Sequence, residues 1–202
     1  NEDGIMHTGW MQVGNQWKYY SQGTLKIYGK TFVDGEKVTG WLPLGNRWYY
    51  IANDDYMVTG YYKVGNSTYY FDESGLMKTR WFKINGEDYY AASSGAIQAQ
   101  WVKSLSNWYY VDVDGKMVTG YQTINGAKYY FSSSGLMQKD WFKINGEDYY
   151  AASSGTIQAQ WVKSGRNWYY VDTDGKMVTG DYIIDGKVNY FDNQGLWMNK
   201  MN

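Results

Sequence analysis

The chain has 202 residues, a net charge of -1 and no cysteine. It has room for one or two globular domains, the near-neutral balance leaves no electrostatic footprint for nucleic acid, and disulfides and thiolate metal sites are excluded. No apolar run is long enough for a helical membrane span, so membrane insertion is not expected, and the sequence carries no signal-peptide pattern.

Aromatic residues make up 20% of the chain, and 23 Tyr and 11 Trp far outnumber 6 Phe. That choice favours rings with a polar handle, which suit half-wet surfaces and ligand stacking. Glycines fall mostly at fixed places in a repeat and read as turns.

The chain opens mid-repeat. Asp3-Gly4-Ile5-Met6-His7-Thr8-Gly9 matches the end of a later unit, Asp114–Gly120, so 1–9 reads as the tail of a preceding repeat. The first full unit, 10–40, holds Trp10 and Trp17-Lys18-Tyr19-Tyr20, with an insertion around Thr24–Phe32. From Trp41 a twenty-residue phrase returns, with Trp or Tyr at position 1 (Trp41, Tyr61, Trp81, Trp101, Tyr121, Trp141, Trp161) and Tyr-Tyr at positions 9 and 10. The units are 41–60, 61–80, 81–100, 101–120, 121–140, 141–160, 161–180 and 181–202, giving about nine repeats in a single domain. The last decays to Val188-Asn189-Tyr190 and ends in Leu196-Trp197-Met198, which reads as a cap. A repeat this short cannot bury a core alone and must stack on its neighbours.

Within a unit such as Trp81–Gln100, Asn85-Gly86 is a two-residue hairpin signal. It makes WFKI and EDYY paired strands, with Trp81 facing Tyr90 and Phe82 facing Tyr89. Side chains alternate between faces. Positions 2, 4 and 9 are assigned to a buried face, and positions 1, 8 and 10 share the opposite one. The turns Gly45-Asn46, Gly65-Asn66 and Leu105-Ser106 leave the register of their units open by a residue. The fold class expected is all-β, a solenoid of stacked hairpins.

A longer period overlies the short one. Trp81–Gly120 and Trp141–Gly180 differ only at 96, 105, 106 and 113 in the first copy's numbers, so the larger unit is three repeats. Recent duplication accounts for this, as does a superhelix with three hairpins per turn. Every third repeat carries Trp at both positions 1 and 8: Trp41/Trp48, Trp101/Trp108 and Trp161/Trp168, with Trp10/Trp17 as a fourth pair. The next hairpin is expected to offer a Tyr at position 10 and an aromatic at position 1. For Trp41/Trp48 these are Tyr70 and Tyr61, for Trp101/Trp108 they are Tyr130 and Tyr121, and for Trp161/Trp168 only Tyr190 remains. Met57, Met117 and Met177 close the double-Trp repeats. A box of rings without a carboxylate suits a soft, bulky cation such as a quaternary ammonium; the same rings also suit the apolar face of a sugar.

Other motifs carry less. Asp112-Val113-Asp114-Gly115 and Asp172-Thr173-Asp174-Gly175 resemble the start of a calcium loop, but the remaining ligand spacing is missing and Asp-Gly turns are the plain reading. Lys83/Asp88 and Lys143/Asp148 read as cross-strand ion pairs. No Ser/His/Asp or Cys/His set is present, so no catalytic residue, metal site or cofactor is expected, and the chain is not read as an enzyme in itself.

Stretches such as Trp101-Val102-Lys103 and Asn107-Trp108-Tyr109-Tyr110-Val111-Asp112, running on to Asp114-Gly115-Lys116-Met117-Val118-Thr119-Gly120, resemble the choline-binding, cell-wall-binding repeats of Gram-positive surface proteins and lysins, and the resemblance covers nearly the whole chain. It implies a left-handed superhelix of hairpins, three per turn. It also implies choline or phosphocholine of teichoic or lipoteichoic acid in cages between successive repeats, and a secreted module that anchors an attached domain to the bacterial cell wall. The cage roles fall on Trp41, Trp48, Trp101, Trp108, Trp161 and Trp168 with the following Tyr. Thr68, Asp88, Lys128 and Asp148 stand where a cage Trp would be, and those interfaces depart from the pattern. The long first unit and Tyr121–Phe131 resemble glucan-binding and clostridial-toxin repeats as well, which leaves a cell-surface glycan as the alternative partner. A homodimer through the last hairpin is left open.

Overall fold

The computed structural model describes residues 6–198. The proposed tail at 1–9 lies partly outside them. Among the described residues the secondary structure is entirely β, twenty strands paired in order as antiparallel hairpins. They are β1 (Gly9–Val13) with β2 (Gln16–Tyr20), β3 (Leu25–Ile27) with β4 (Lys30–Phe32), β5 (Gly40–Leu44) with β6 (Arg47–Ile51), β7 (Gly60–Val64) with β8 (Ser67–Phe71), and β9 (Arg80–Ile84) with β10 (Glu87–Ala91). The rest are β11 (Gln100–Ser104) with β12 (Asn107–Val111), β13 (Gly120–Ile124) with β14 (Ala127–Phe131), β15 (Asp140–Ile144) with β16 (Glu147–Ala151), β17 (Gln160–Ser164) with β18 (Asn167–Val171), and β19 (Gly180–Ile184) with β20 (Lys187–Phe191).

The chain divides into two compact units. One runs to Gln100 and includes Val111–Lys116; the other holds Trp101–Tyr110 and the residues from Met117 on.

Two-residue turns fix the register throughout. Asn85 and Gly86 both take positive φ (51° and 86°), as a type I′ turn requires. Gly45-Asn46 and Gly65-Asn66, where the sequence left the register open, keep the same frame: Trp41 faces Tyr50, Leu42 faces Tyr49 and Pro43 faces Trp48, and Tyr61 faces Tyr70. Strand pairing therefore places positions 1, 3, 8 and 10 on one face and 2, 4, 9 and 11 on the other.

The core on the second strand sits two residues beyond where the sequence reading put it. Position 11 is fully buried in nearly every unit, as Ile51, Phe71, Ala91, Val111, Phe131, Ala151 and Val171. Leu42, Val102 and Val162 at position 2 are also buried, whereas the position 9 tyrosines from Tyr49 to Tyr169 are only half-buried. The assignment of position 9 to the buried face is thus corrected. Position 9 shares that face, but burial is deepest at position 11, in the strand pair farthest from the hairpin turn and next to the loop that follows, whereas position 9 lies nearer the turn. The core is a series of small clusters, such as Ile124, Phe131 and Met137 packed with Trp101, Tyr110 and Tyr129.

The loops follow turn chemistry. Asp72 Oδ1 accepts from the amides of Ser74 and Leu76, and Asp112 Oδ1 from those of Asp114 and Lys116. The first carboxylate of each Asp-x-Asp-Gly stretch, Asp112 and Asp172, is spent on the backbone in this way, and no metal-binding cluster occurs among the described residues. Each loop then ties to the hairpin before it. The position 17 amide donates to the position 8 carbonyl of the preceding repeat: Met57 to Trp17, Met77 to Trp48, Ile97 to Thr68, Met137 to Trp108, Ile157 to Lys128, Met177 to Asp148 and Trp197 to Trp168, all at 2.8–2.9 Å.

The insertion in the first unit is the short hairpin β3–β4. Ile27 and Phe32 anchor it in a cluster with Tyr19, Val38, Leu42 and Ile51.

Candidate functional site

Within each unit the hairpins stack front to back. The face carrying positions 1, 3, 8 and 10 meets the next hairpin's opposite face, which offers positions 2, 9 and 11. Trp41 therefore touches Tyr69 edge-on at 4.8 Å between ring centroids, and Phe71 at 6.1 Å. Trp101 does the same with Tyr129 at 5.0 Å and Phe131 at 5.8 Å, and Trp10 with Tyr49 at 5.1 Å. The position 8 indole completes the corner. Trp48 stands perpendicular to Trp41 at 6.1 Å, and Trp108 to Trp101 at 6.2 Å. The backbone bond from position 17 brings a methionine beside it.

Each double-Trp unit thus frames a box of Trp, Trp, the next unit's position 9 Tyr and the next unit's position 17 side chain. Trp10, Trp17, Tyr49 and Met57 line a cavity of about 350 Å³, with Glu73 and Ser74 at its rim. Trp101, Trp108, Tyr129 and Met137 line one of about 300 Å³, with Ser154 at its rim. Trp41, Trp48, Tyr69 and Met77 line the third, of about 530 Å³. No carboxylate borders the second or third. Lys103 and Lys163 lie 5.6 and 5.5 Å from the rings of Trp108 and Trp168, their cross-strand neighbours.

The tryptophan pairs are brought together as the sequence indicates, and their expected companions are not. Tyr70 and Tyr130 point to the following interface, where they stack on Phe82 and Phe142 at 5.4 and 5.5 Å. Tyr61 and Tyr121 are edge-on to Tyr70 and Tyr130 within their own hairpins. The reason is strand parity: hairpins stacked in one direction bring unlike faces together, so positions 1 and 8 meet positions 2, 9 and 11. Met57 borders the Trp10/Trp17 cavity rather than that of its own repeat, because position 17 folds back over the preceding hairpin. Met177 by the same rule lies over the Asp148 repeat, and the sulfur of Met117 packs against Gly135, outside the residues that line the Trp101/Trp108 cavity. Tyr190 is paired in register with Asp181.

The last pair differs. Trp197 occupies position 17, and its ring meets Trp161 at 5.4 Å, with Trp168 perpendicular to Trp161 at 6.4 Å. Asn189 stands where the Tyr would be and accepts a hydrogen bond from Trp197 Nε1 at 3.2 Å. Trp197 was read as a cap, although it falls in step with Met57, Met77 and Met137; that spacing was the available signal.

Two of the interfaces without a second Trp, those of the Tyr61 and Tyr121 repeats, are closed by the loop two repeats further on. Tyr61 Oη donates to the carbonyl of Asp114 at 3.0 Å, and Tyr121 Oη to that of Asp174 at 2.9 Å. Lys128, in place of Trp, reaches Asp174 Oδ1 at 2.6 Å and the Thr173 carbonyl at 3.1 Å. Asp88 and Asp148 pair with Lys83 and Lys143, each at 2.7 Å. At the boxes, that same loop position carries Ser74, Ser94 or Ser154 and leaves the mouth open.

This closure has a pH signature. Tyr61 is 44% exposed as a residue, and its hydroxyl is held by the Asp114 carbonyl. Burial pushes its pKa up to about 12, with the nearby Tyr89 and the Asp114 carboxylate adding to the shift. Burial raises Tyr121 in the same direction. An unfolded tyrosine ionises near pH 10. The raised folded value means that this contribution to stability is complete below about pH 10 and is lost as pH rises through about 12. The denaturation midpoint is expected to fall across that window, and less steeply in Tyr61→Phe; an unchanged slope in the variant would contradict it.

Comparison with known proteins gives a consistent picture. The choline-binding repeat profile matches residues 38–82, 118–160 and 158–200, and a cell wall binding repeat profile matches 79–97 and 100–117. No curated protein sequence matches the chain. Among solved structures, it is similar to the choline-binding domain of CbpL from Streptococcus pneumoniae, with 25% identity, a TM-score of 0.62, and coverage of 97% of this chain and 100% of that one. It is similar in fold to the modular autolysin LytC of the same organism, with 22% identity, a TM-score of 0.58, and coverage of 99% of this chain and 50% of that one, so it spans half of the autolysin's length. It is also similar in fold to choline-binding protein F of Streptococcus pneumoniae, with 24% identity, a TM-score of 0.50, and coverage of 94% and 92%.

Proposed function

The chain belongs to the choline-binding repeat family, and from that premise we propose that its double-tryptophan boxes take the trimethylammonium group of choline and so hold the chain, with any attached domain, on the bacterial cell wall. The observation that carries the reading is the Trp101 box. Three rings from two hairpins converge there with a methionine, no carboxylate and an open mouth. A quaternary ammonium has no N–H to donate. It is held by ring faces and a polarizable sulfur rather than by hydrogen bonds, at about 0.5–2 kcal/mol per good ring contact. A primary ammonium would instead leave donors unsatisfied in such a box.

The boxes at Trp10, Trp41, Trp101 and Trp161 are the binding sites, and the ligand in the wall is the choline or phosphocholine of teichoic or lipoteichoic acid. Several sites on one chain raise retention on a polyvalent wall through effective concentration, beyond the affinity of any one box. The family resemblance implies a left-handed superhelix with three repeats per turn, and the loops that reach back two repeats inside each unit, from Asp114 to Tyr61 and from Asp174 to Tyr121, favour the three-repeat spacing.

Titration of choline against tryptophan fluorescence tests the reading. A saturable change at millimolar choline is expected. No saturable change, with retention on dextran instead, would replace choline by a glucan.

A further inference from the structure

The box at Trp41 is larger than those at Trp10 and Trp101, and one of its walls comes from outside the repeat. The inserted hairpin β3–β4 turns on Tyr28-Gly29, with Ile27 facing Lys30. Both turn residues take positive φ, 46° at Tyr28 and 78° at Gly29. The first place in such a turn favours Asn, Asp or Gly, and a bulky ring there is conformationally unfavourable. Nor does the ring serve the core: Ile27 and Phe32 do the burying, and Tyr28 is 74% exposed. It leans instead toward Trp48, with centroids 6.2 Å apart and planes inclined by 40°.

The cavity of about 530 Å³ extends past Trp48 to Tyr28, against about 350 and 300 Å³ at the two boxes that lack such a hairpin. Beyond the cage its walls are Tyr28 and Trp48, and its polar lining is Asn46, Thr79, Ser93 and Ser94. No charged side chain borders it. Two aromatic faces with an amide and hydroxyls, and no charge, is the chemistry that recognises a neutral sugar. The apolar C–H face of a pyranose lies on the rings, and its hydroxyls meet groups that both donate and accept.

We infer that the Trp41 site carries a second subsite, formed by Tyr28 and the outer side of Trp48, for one neutral pyranose residue next to the cation. The inference rests on the choline reading, in that the sugar is the one that bears the cationic head group. The Trp10 and Trp101 boxes have no such subsite and bind the head group alone.

The test uses the full chain labelled with 5-fluorotryptophan, with the Trp48 resonance assigned through Trp48→Phe. The probes are choline, methyl glucopyranoside, and methyl glucopyranoside carrying phosphocholine on its exocyclic oxygen. Tyr28→Asn suits the turn and removes the ring; Tyr28→Phe keeps the ring. For Tyr28→Asn, the Kd for choline at Trp48 is expected to stay within about twofold, while that for the phosphocholine glycoside rises roughly five- to tenfold. Tyr28→Phe is expected to keep the glycoside affinity. Equal weakening of choline and glycoside in Tyr28→Asn, or no change in either, overturns the subsite. Failure of the choline reading looks different: choline then leaves Trp48 unmoved in the unsubstituted chain. The sugar subsite in that case is decided by methyl glucopyranoside alone, upheld if it moves Trp48 in a Tyr28-dependent way and overturned if it does not.

Discussion

Trp108→Ala is expected to weaken choline binding at the Trp101 box by roughly 5- to 30-fold, the loss of one good cation–π wall, while the chain stays folded. Trp108 is 37% exposed. Its ring is perpendicular to Trp101 at 6.2 Å, and the Lys103 ammonium lies 5.6 Å from it. Removing it opens the box without emptying the core, because Trp108 stands outside the buried cluster of Ile124, Phe131 and Met137 that Trp101, Tyr110 and Tyr129 pack against. Tyr130→Ala is the opposed control. It removes the stack on Phe142 at 5.5 Å and is expected to lower stability while leaving choline affinity unchanged. Fluorescence titration of both variants, read beside their unfolding curves, checks the pair. A larger loss of choline affinity in Tyr130→Ala than in Trp108→Ala would return the cage to the tenth position.

Phe131→Ala is expected to destabilise the chain by roughly 3–5 kcal/mol, the range for a large aromatic deleted from a packed core. Phe131 is 0% exposed. It is the floor on which Trp101 sits, at 5.8 Å and 39°, and it pairs through the strand end with Gly120. The cavity left behind is bounded by Ile124, Met137 and the Trp101 ring, so the variant that survives is also expected to bind choline less well at that box. Denaturant unfolding monitored by circular dichroism gives the number. A loss below about 1 kcal/mol would mean that position 11 is not where the core is held.

These two outcomes separate what the residues disclosed from what they did not. The hairpins, their register and the tryptophan pairs are local properties. Asn85-Gly86 sets the turn, alternation sets the faces, and position 8 shows its exposure by accepting Thr68, Asp88 or Lys128 in place of Trp. The partner of each pair is a property of how hairpins stack, and here the sequence invites an error. Tyr69 and Tyr70 are adjacent and equally recurrent, and nothing in composition says which one looks backward. Parity does: if hairpins stack in one direction, the face with positions 1 and 8 meets the next hairpin's opposite face, so Tyr69 and Tyr129 join the boxes while Tyr70 and Tyr130 serve the next interface.

Position 11 was harder to read. It alternates between Ala, Val, Ile and Phe, a variation that looks like indifference. In the fold, Phe71 and Phe131 sit under Trp41 and Trp101, whereas Ala91 and Ala151 sit in units where Asp takes position 8. The size at position 11 changes with the unit and stays buried throughout. Trp197 and Tyr28 were missed for a different reason. Each lies where the repeat is irregular, and irregular segments lose the comparison that gives the other residues meaning.

The central claim is that the ligand cage is built from positions 1 and 8 of one repeat and positions 9 and 17 of the next. A crystal structure of the chain grown with choline tests it most directly. The quaternary nitrogen is expected within about 6 Å of the ring centroids of Trp101, Trp108 and Tyr129, with Met137 beside it. Choline density between Tyr121 and Tyr130, or an empty Trp101 box at saturating choline, would contradict it.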